Sequence, residues 1–458
     1  MRKAFFMAVI AANTPNTVFA TSEIEILRQQ LNEIKNNYEQ RIQTLEKKLQ
    51  KAEVNIENNV KNTQQANVKT KPSATTSIGQ NNFNPAISLI LDGRYASFKN
   101  NPEAYELPGF ALGNEAGLGE KGFSLGHSEL AISANIDDKF YGKATLAVHD
   151  NKGETELELE EAFIQTLGLG NGLGIKAGRF FSAIGYLNEQ HQHLWDFADA
   201  PLIYRGLFGN QLRDDGLQIT YLAPTDTFMQ LGMELFSGSN FPAGGSHSGI
   251  GSWSAFANIG GDIGIEHSWQ LGLSHWQASD IDGRTSGGHS HGEGLSETPS
   301  FTGKSKINAL DLVYKWAPNG NPTQQNFKLQ FEYFDRREDG TITMLYSGPP
   351  EKISTYDGQQ DGWYAQAIYQ FVPHWRTGIR YDRLSSDNKG SDEELLAEAG
   401  LDNKGHTPDR YSAMLEWLPS EFSRIRLQFN RDNSYENSDN QIFLQYTYSL
   451  GSHGAHQF

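Results

Sequence analysis

Residues 326–337, NFKLQFEYFDRR, decide the fold class of this chain. Apolar and polar side chains alternate along the stretch. The apolar positions are Phe327, Leu329, Phe331 and Tyr333, and the polar ones between them are Lys328, Gln330 and Glu332. Successive side chains of a β-strand point to opposite faces of the sheet. This period of two therefore predicts a strand with one apolar and one polar face.

The same period recurs from residue 85 to the end of the chain, in about sixteen segments. Short connections (137–139, 168–172, 223–227, 260–264, 317–325, 372–375 and 418–423) alternate with longer ones (99–122, 184–215, 238–252, 279–304, 338–360 and 387–409). An even strand number with short turns on one side is typical of outer-membrane barrels. We predict an all-β protein, a transmembrane 16-stranded antiparallel β-barrel over 85–458. A soluble β-sandwich is the alternative, but it would not need an aromatic-rich outer face.

The first 84 residues have a different composition. Arg2 and Lys3 precede an apolar run within 1–20, which predicts a signal peptide. Residues 21–58 contain neither Gly nor Pro, and their apolar positions follow an 11-residue pattern that predicts a periplasmic coiled coil. Residues 59–84 are polar and predict a flexible linker. The coiled-coil positions are Leu27, Leu31, Ile34, Tyr38, Ile42, Leu45 and Leu49.

Charge and cysteine content exclude several functions. The formal net charge is −17, and a nucleic-acid-binding protein would need a basic surface. The chain has no cysteine, so neither disulfides nor thiolate metal sites are available. Its last strand, 440–450, is followed by a terminal Phe458, which looks like the signal read by the barrel-assembly machinery. We therefore expect the protein to lie in the outer membrane of a Gram-negative bacterium, in contact with its lipid.

The segment 157–197, LELEEAFIQTLGLGNGLGIKAGRFFSAIGYLNEQHQHLWDF, resembles the middle of the phosphate-selective porin O and P family. The matching motifs are Glu160, Glu161 and Ala162, followed by Gly178, Arg179 and Phe180. The resemblance implies a homotrimeric 16-stranded porin in which a long loop folds inward and narrows the pore. It also implies passive diffusion of small hydrophilic solutes, and no enzymatic activity.

Loop 184–215 is the candidate constriction, because its polar side chains could contact solute while its aromatic ones fix it to the wall. Two other interpretations of its histidines remain open. One is a structural metal site formed with a carboxylate, and the other is a hydrolase that uses Ser182. The predicted constriction residues are Arg179, Glu189, His191, His193, Trp195, Asp196, Asp199, Arg205 and Arg213.

The predicted pore wall does not contain the ladder of Arg and Lys on which phosphate selectivity depends. Four carboxylates share one face of the strand that contains 154–160, and acidic rings favour cations. We therefore expect a modest preference for cations or divalent metal ions, with an anion-selective porin as the alternative. The predicted wall residues are Glu154, Glu156, Glu158, Glu160, Lys176, Lys328, Glu332, Arg380, Arg424 and Arg426.

A second group of histidines lies in the Gly-rich stretch 279–304. His289, His291 and Glu293 alternate there, and imidazole with carboxylate suits Zn²⁺. The stretch is also similar to His-rich external loops of outer-membrane proteins associated with zinc supply. A metal-binding surface receptor is therefore a further alternative. No cofactor is expected, apart from zinc as a bound or transported ion.

Overall fold

The computed structural model describes residues 85–102, 105–113, 116–151, 154–245, 248–286, 289–291, 295–346, 352–434 and 437–451. The predicted signal peptide, coiled coil and linker, all within 1–84, lie outside this range, as do Glu293 and Phe458. Among the described residues, no helix is both long and apolar enough to span a membrane.

The described chain consists mainly of antiparallel strands. Two short α-helices interrupt them: α1 (Leu202–Phe208) and α2 (Glu393–Glu398). The strands are β1 (Ala86–Ser97), β2 (Gly122–Leu125), β3 (Ser128–Asn135), β4 (Phe140–Asn151), β5 (Glu154–Thr166), β6 (Leu173–Phe181), β7 (Arg213–Leu222), β8 (Phe228–Phe236), β9 (Ser252–Ile263), β10 (His267–Thr285), β11 (His289–His291), β12 (Leu295–Trp316), β13 (Asn326–Tyr346), β14 (Lys352–Val372), β15 (Trp375–Gly390), β16 (Asp409–Ser420), β17 (Ser423–Asp432) and β18 (Asp439–Gly451).

These segments form one closed sheet with sixteen strand positions. The segments β2 and β3 pair with two halves of β1 and therefore count as one interrupted strand. The short β11 pairs with β12 beyond the end of β10 and extends that strand position. Pairing of β1 with β18 closes the sheet, so no edge strand is left open. The predicted barrel and its strand number are confirmed.

The last strand shows how the two faces of the barrel differ. Along β18, Ile442, Leu444 and Tyr446 are exposed, whereas the alternate residues Gln441, Phe443 and Gln445 are buried. The predicted alternation is therefore present, and the apolar face points outward, which is the opposite of the arrangement in a soluble protein. Exposed apolar side chains of the same kind occur on strands all around the barrel.

Strand lengths correct the predicted loops. Long loops were expected at 279–304, 338–360 and 387–409. Most residues of the first two continue β10 and β12–β14, which reach up to 22 residues, whereas only the first four residues of the third continue β15. A strand that only crosses a membrane needs about 9–11 residues. The extra length is rich in Gly, Ser, Thr and Asp, which is why it reads as loop. Paired backbone hydrogen bonds hold it in the sheet instead.

The barrel interior is not lined by polar residues alone. A cluster of thirty buried apolar residues lies inside, formed by the inner faces of β10 and β12–β15 together with α1, α2 and residues 107–111. The connections that do contain long loops, 98–121, 182–212 and 391–408, provide much of this packing. The inward face of these long strands is therefore partly apolar, because it packs against inserted chain and not against water.

Closure between the first and last strands can be tested with an engineered disulfide. Leu91 and Tyr448 are paired across β1 and β18, and both side chains are exposed. Directly opposed residues have Cα separations within the range of disulfides. Because the chain has no cysteine, Leu91→Cys/Tyr448→Cys should form one crosslink, visible as altered mobility on a non-reducing gel.

The matched control for this crosslink is Leu91→Cys/Leu444→Cys. Leu444 lies on the same face of β18, four residues from Tyr448, so the two thiols would be about 13 Å apart along the strand. No crosslink should form in this variant. A crosslink in the control but not in the first pair would show that the strands close in another register.

Candidate functional site

Residues 182–212, which we call the inserted segment, connect β6 and β7 and lie inside the barrel. Most of its 31 residues are buried, and only Glu189 among them is exposed. Its backbone and side chains bond to inward-facing residues of β8 and β13–β17, more than a hundred positions away in sequence in most cases. The loop from which the constriction was predicted therefore folds into the lumen.

Two wall glutamates fix the start of the inserted segment. Glu234 accepts hydrogen bonds from Ser182 Oγ (2.5 Å) and the Ala183 amide (2.9 Å). Glu332 accepts from the Tyr186 amide (3.0 Å), the Leu187 amide (3.1 Å) and the Tyr204 hydroxyl (2.7 Å). Buried backbone amides outside regular structure need such acceptors, so these carboxylates determine the path of the chain.

Asp199 is the most highly bonded residue of the inserted segment. Its carboxylate accepts from Arg380 (2.7 Å), Arg410 (2.8 Å) and Arg205 (3.2 Å), and from Gln428 (2.8 Å) and Asn430 (3.0 Å). All five partners are buried. Burial alone would raise the pKa of Asp199, but the three arginines outweigh it and hold the pKa well below its usual value.

The helix α1 begins at this same group of charges. The Leu202 amide donates to Asp382 Oδ1 at 2.9 Å, and Asp382 also accepts from Arg380 and Arg410. The first amides of a helix have no partner within the helix, so a wall carboxylate satisfies one of them. The helix is completely buried and contributes Leu202, Ile203, Tyr204, Leu207 and Phe208 to the apolar cluster.

Asp196 and Trp195 attach the middle of the segment to the turn end of the barrel, where the short connections lie. Asp196 accepts from Lys328 (3.0 Å) and Arg376 (3.4 Å), while the Trp195 carbonyl accepts from Arg426 (2.7 Å). Burial raises the pKa of Asp196, but these cations outweigh it and lower the pKa below its usual value.

Five basic side chains lie at this end of the barrel, and we call them the turn-end cations: Lys143, Lys176, Lys328, Arg376 and Arg424. Each lies within four residues of a strand start at the short-turn end. Their side chains are 11–24% exposed, whereas the carboxylates of Glu161, Asp196 and Glu416 beside them are at most 9% exposed. Water therefore reaches the cations more readily than most of their counter-ions.

A bulge in β5 turns two consecutive glutamates inward. The register of β4 against β5 shifts between Thr145/Glu161 and Leu146/Leu159, which leaves Glu160 as the extra residue. Glu160 and Glu161 are consequently both buried, although strict alternation would place them on opposite faces. Glu161 pairs with Lys143 at 2.6 Å.

The histidines of the inserted segment pack against these glutamates. His191 Nε2 lies 2.7 Å from Glu161, and its Nδ1 lies 3.0 Å from Glu129. His193 Nδ1 lies 2.8 Å from Glu129. Burial lowers the pKa of His191, but the surrounding carboxylates outweigh it and raise the pKa well above its usual value. Both imidazoles are therefore held at the wall and do not face open lumen.

His127 completes this cluster from the gap between β2 and β3. Its Nε2 lies 2.9 Å from Glu160 and 3.5 Å from Glu129. Sequence analysis did not identify His127 or Glu129, although they form an H-x-E pattern at the start of a strand. Their proximity to His191 depends on the loop folding inward, which sequence spacing cannot show.

The other predicted constriction residues have separate environments. Glu189 is partly exposed, with Lys176 at 3.7 Å, and Arg213 pairs with Glu158. Arg205 is buried against Asp199. Arg179 is not brought to the segment: it pairs with Asp215 at 2.8 Å, and Asp215 shares the outer face of β7 with Leu217 and Ile219. Arg179 keeps the outward parity of Leu173, Ile175 and Ala177, so strict alternation along β6 already disagrees with its predicted place at the constriction.

Most predicted wall residues do face inward. Lys176, Lys328, Glu332, Arg380, Arg424 and Arg426 all contact the inserted segment. On β5, Glu158 pairs with Arg213 and Glu156 is exposed, while the side chain of Glu154 lies outside the described residues. His289 and His291 lie on β11, paired with β12, and not in a loop.

The nucleophile required by the hydrolase interpretation has another role. Ser182 is completely buried and donates its hydroxyl to Glu234, and no histidine is among its hydrogen-bond partners in the described residues. A serine nucleophile needs a base within hydrogen-bond reach. The contacts of Ser182 therefore favour a role in fixing the inserted segment.

Removal of the Asp199 carboxylate tests how firmly the inserted segment is attached. Asp199→Ala removes one of the two carboxylates that Arg380 and Arg410 share and leaves only Asp382 beside these buried arginines, which should lower the free energy of unfolding by about 3–5 kcal/mol. Urea titration of the folded barrel measures this loss. Trypsin should also cleave after Arg205 in the variant, because the released segment becomes accessible.

The matched control for this variant is Asp387→Ala. Asp387 pairs with Lys389 at 2.7 Å, but both side chains are more than half exposed. Such a pair is worth only about 0–1 kcal/mol. Equal losses in the two variants, or resistance of Asp199→Ala to trypsin, would contradict the anchoring role of Asp199.

Comparison with solved structures returns bacterial outer-membrane proteins at low similarity. A loop L8 deletion mutant of OmpT from Vibrio cholerae is 10% identical and covers 80% of this chain and 99% of its own, with a TM-score of 0.48. The outer membrane channel DcaP of Acinetobacter baumannii is 12% identical over 80% and 96%, with a TM-score of 0.47. An anion-selective porin from Comamonas acidovorans is 11% identical over 80% and 99%, at 0.46.

Sequence comparison gives a closer relationship. No family model matches the chain. A protein of Aquifex aeolicus (strain VF5), named as an uncharacterized protein, is 34% identical over 408 residues, which are 83% of this chain and 81% of the relative. Identity at this level over most of both chains indicates common descent and a common fold. The chain therefore belongs to the same protein family as this Aquifex aeolicus protein.

Proposed function

We propose that this protein is an outer-membrane porin, a passive diffusion channel for small hydrophilic solutes. The observation that carries the proposal is a closed barrel with an apolar outer face and an inner face that holds charged side chains. In water, the exposed leucines, isoleucines and aromatic residues would be unfavourable, whereas lipid accommodates them. A membrane barrel with a charged interior offers a polar route across the bilayer.

The inserted segment would limit the size of the solutes that pass. It crosses the lumen and is bonded to β8 on one side and to β13–β17 on the other. The turn-end cations, which are partly accessible to water, and the exposed Glu189 are the charged groups that solute would meet beside it. Selection would depend on pore width and wall charge, with no bond chemistry.

We further propose that the protein is a homotrimer. Support comes from the sequence, where the 11-residue pattern of 21–58 favours self-association of helices. The resemblance to trimeric porins supports the same number of subunits. Insertion through the barrel-assembly machinery, with Phe458 as its signal, belongs to this proposal as well.

An anion-selective porin is the second candidate, and the turn-end cations favour it. Five basic side chains that water can reach lie at one end of the lumen, and their counter-ions are mostly buried. The acidic strand predicted a modest cation preference instead. Glu156 supports it, because this residue is exposed near the start of β5, at the end of the barrel opposite the turn-end cations. The two preferences predict opposite signs of the reversal potential in a salt gradient.

Planar-bilayer recording tests the channel proposal. The purified full chain should produce stepwise increases in conductance on insertion. Asp199→Ala should give larger single-channel steps, because the inserted segment would no longer be held across the lumen. Asp387→Ala should give wild-type steps. A folded protein that produces no steps would overturn the proposed function.

Reversal potentials measured in a potassium chloride gradient distinguish the two ion preferences. Lys176→Gln removes a positive charge whose ion-pair partner, Glu189, is 3.7 Å away. The variant should therefore shift the reversal potential toward cation permeation. Glu156→Gln removes a negative charge at the other end of the lumen and should shift it toward anions. The wild-type sign identifies the preference. If neither variant moves the potential, these charges do not line the permeation path.

A further inference from the structure

We propose that His127, Glu129, Glu160, His191 and His193 form a binding site for one divalent transition-metal ion of the zinc class. The ion would join the inserted segment to the barrel wall, because His191 and His193 belong to the segment and the other three residues belong to β3, β5 and the gap before β3. This site is separate from the His289 and His291 hairpin.

The ligand atoms already lie close together. Glu129, His191 and His193 form one group of three, and His127, Glu129 and Glu160 form another. Within each group the candidate ligand atoms lie within 4.8 Å of one another, and Glu129 is common to both. Imidazole nitrogen and carboxylate oxygen in combination suit Zn²⁺ and neighbouring transition metals, not Ca²⁺ or Mg²⁺.

Three atoms in the centre of the cluster are buried but form no hydrogen bond to any described residue: His127 Nε2, His191 Nδ1 and Glu160 Oε2. They are nevertheless near carboxylate or imidazole atoms. His191 Nδ1 lies 3.0 Å from Glu129 and 3.5 Å from Glu160, and His127 Nε2 lies 2.9 Å from Glu160.

Close approach without hydrogen-bond geometry is the arrangement expected of ligands that share an ion. Metal–ligand bonds of about 2.0–2.1 Å in a tetrahedral site place neighbouring ligand atoms about 3.3 Å apart. The separations in the cluster fall near this value. Buried polar atoms otherwise have hydrogen-bond partners, so three orphan atoms at one point require an explanation.

The charges of the cluster also fit a dication. Lys143 pairs with Glu161. Arg213 has Glu158 as its shorter partner and lies 3.5 Å from Glu160. The carboxylates of Glu129 and Glu160 then remain to neutralise a divalent ion, with the histidines as neutral ligands.

Glu161 would act as a positioning residue for this site. Its Oε2 lies 2.7 Å from His191 Nε2, so the imidazole can donate its Nε2 hydrogen to the carboxylate and leave Nδ1 as the ligand atom. Metal-binding histidines commonly have such a carboxylate behind them. The bulge at Glu160 permits this arrangement, because it turns both glutamates toward the same histidine.

The burial of the site favours a resident ion over a transported one. The side chains of Glu129, Glu160, His191 and His193 are at most 10% exposed, so an ion could leave only if the segment moved from the wall. The function of the ion would be to stabilise the inserted position of residues 191–193.

Isothermal titration of the full chain in detergent with zinc chloride, after treatment with a chelator, tests the proposal. The wild type should bind one Zn²⁺ per chain, and Zn²⁺ should protect residues 182–212 from protease. Glu161→Gln should weaken binding by about 10–100-fold, as for other residues behind a ligand. Glu129→Gln should weaken binding further, because it removes the ligand common to both groups.

The control is His289→Ala/His291→Ala, which should retain the wild-type affinity. Heat-modified migration on a gel shows whether each variant folds, and His193→Gln replaces Glu129→Gln if the latter does not. The proposal is overturned if the folded wild type binds no Zn²⁺. It is also overturned if only the His289/His291 variant loses binding, or if removal of Glu129 or His193 leaves the affinity unchanged.

Discussion

The structure depends on the pairing of charges that are buried inside a closed barrel. A carboxylate such as Asp199 cannot be removed from water without compensation, and Arg205, Arg380 and Arg410 provide it. The same requirement applies in reverse, since Arg380 and Arg410 on the barrel wall need Asp199. The inserted segment and the barrel wall therefore stabilise each other through these charge pairs.

This mutual dependence explains why a stretch with so little regular structure is so well buried. Glu234 and Glu332 accept amide hydrogen bonds that a strand or helix would otherwise satisfy. The apolar side chains of α1 then pack against the inner faces of the longest strands. Polar contacts determine the path of the segment, while burial of its apolar side chains stabilises the inserted position. In the proposed channel, the conducting path would run beside this packed region of the lumen.

The bulge in β5 shows how one extra residue changes the chemistry of the interior. Without it, Glu160 and Glu161 would point to opposite faces, and one of them would lie in the apolar outer surface. With it, both carboxylates face His191, and the proposed metal ligands and their positioning residue lie together. Alternation correctly placed Leu157 and Leu159 on the outer face and failed at the bulge, because a bulge has no signature in residue type.

The sequence by itself determined the all-β class, the sixteen strand positions and the outward apolar face, because a period of two is a local property of extended chain. The faces of β18, for example, follow directly from Ile442, Leu444 and Tyr446. Only the tertiary structure decided that β12 and β13 continue through polar residues and that Glu129 meets His191 and His193. These features depend on hydrogen bonds and charge pairs between residues up to hundreds of positions apart, and local spacing contains no information about such pairs.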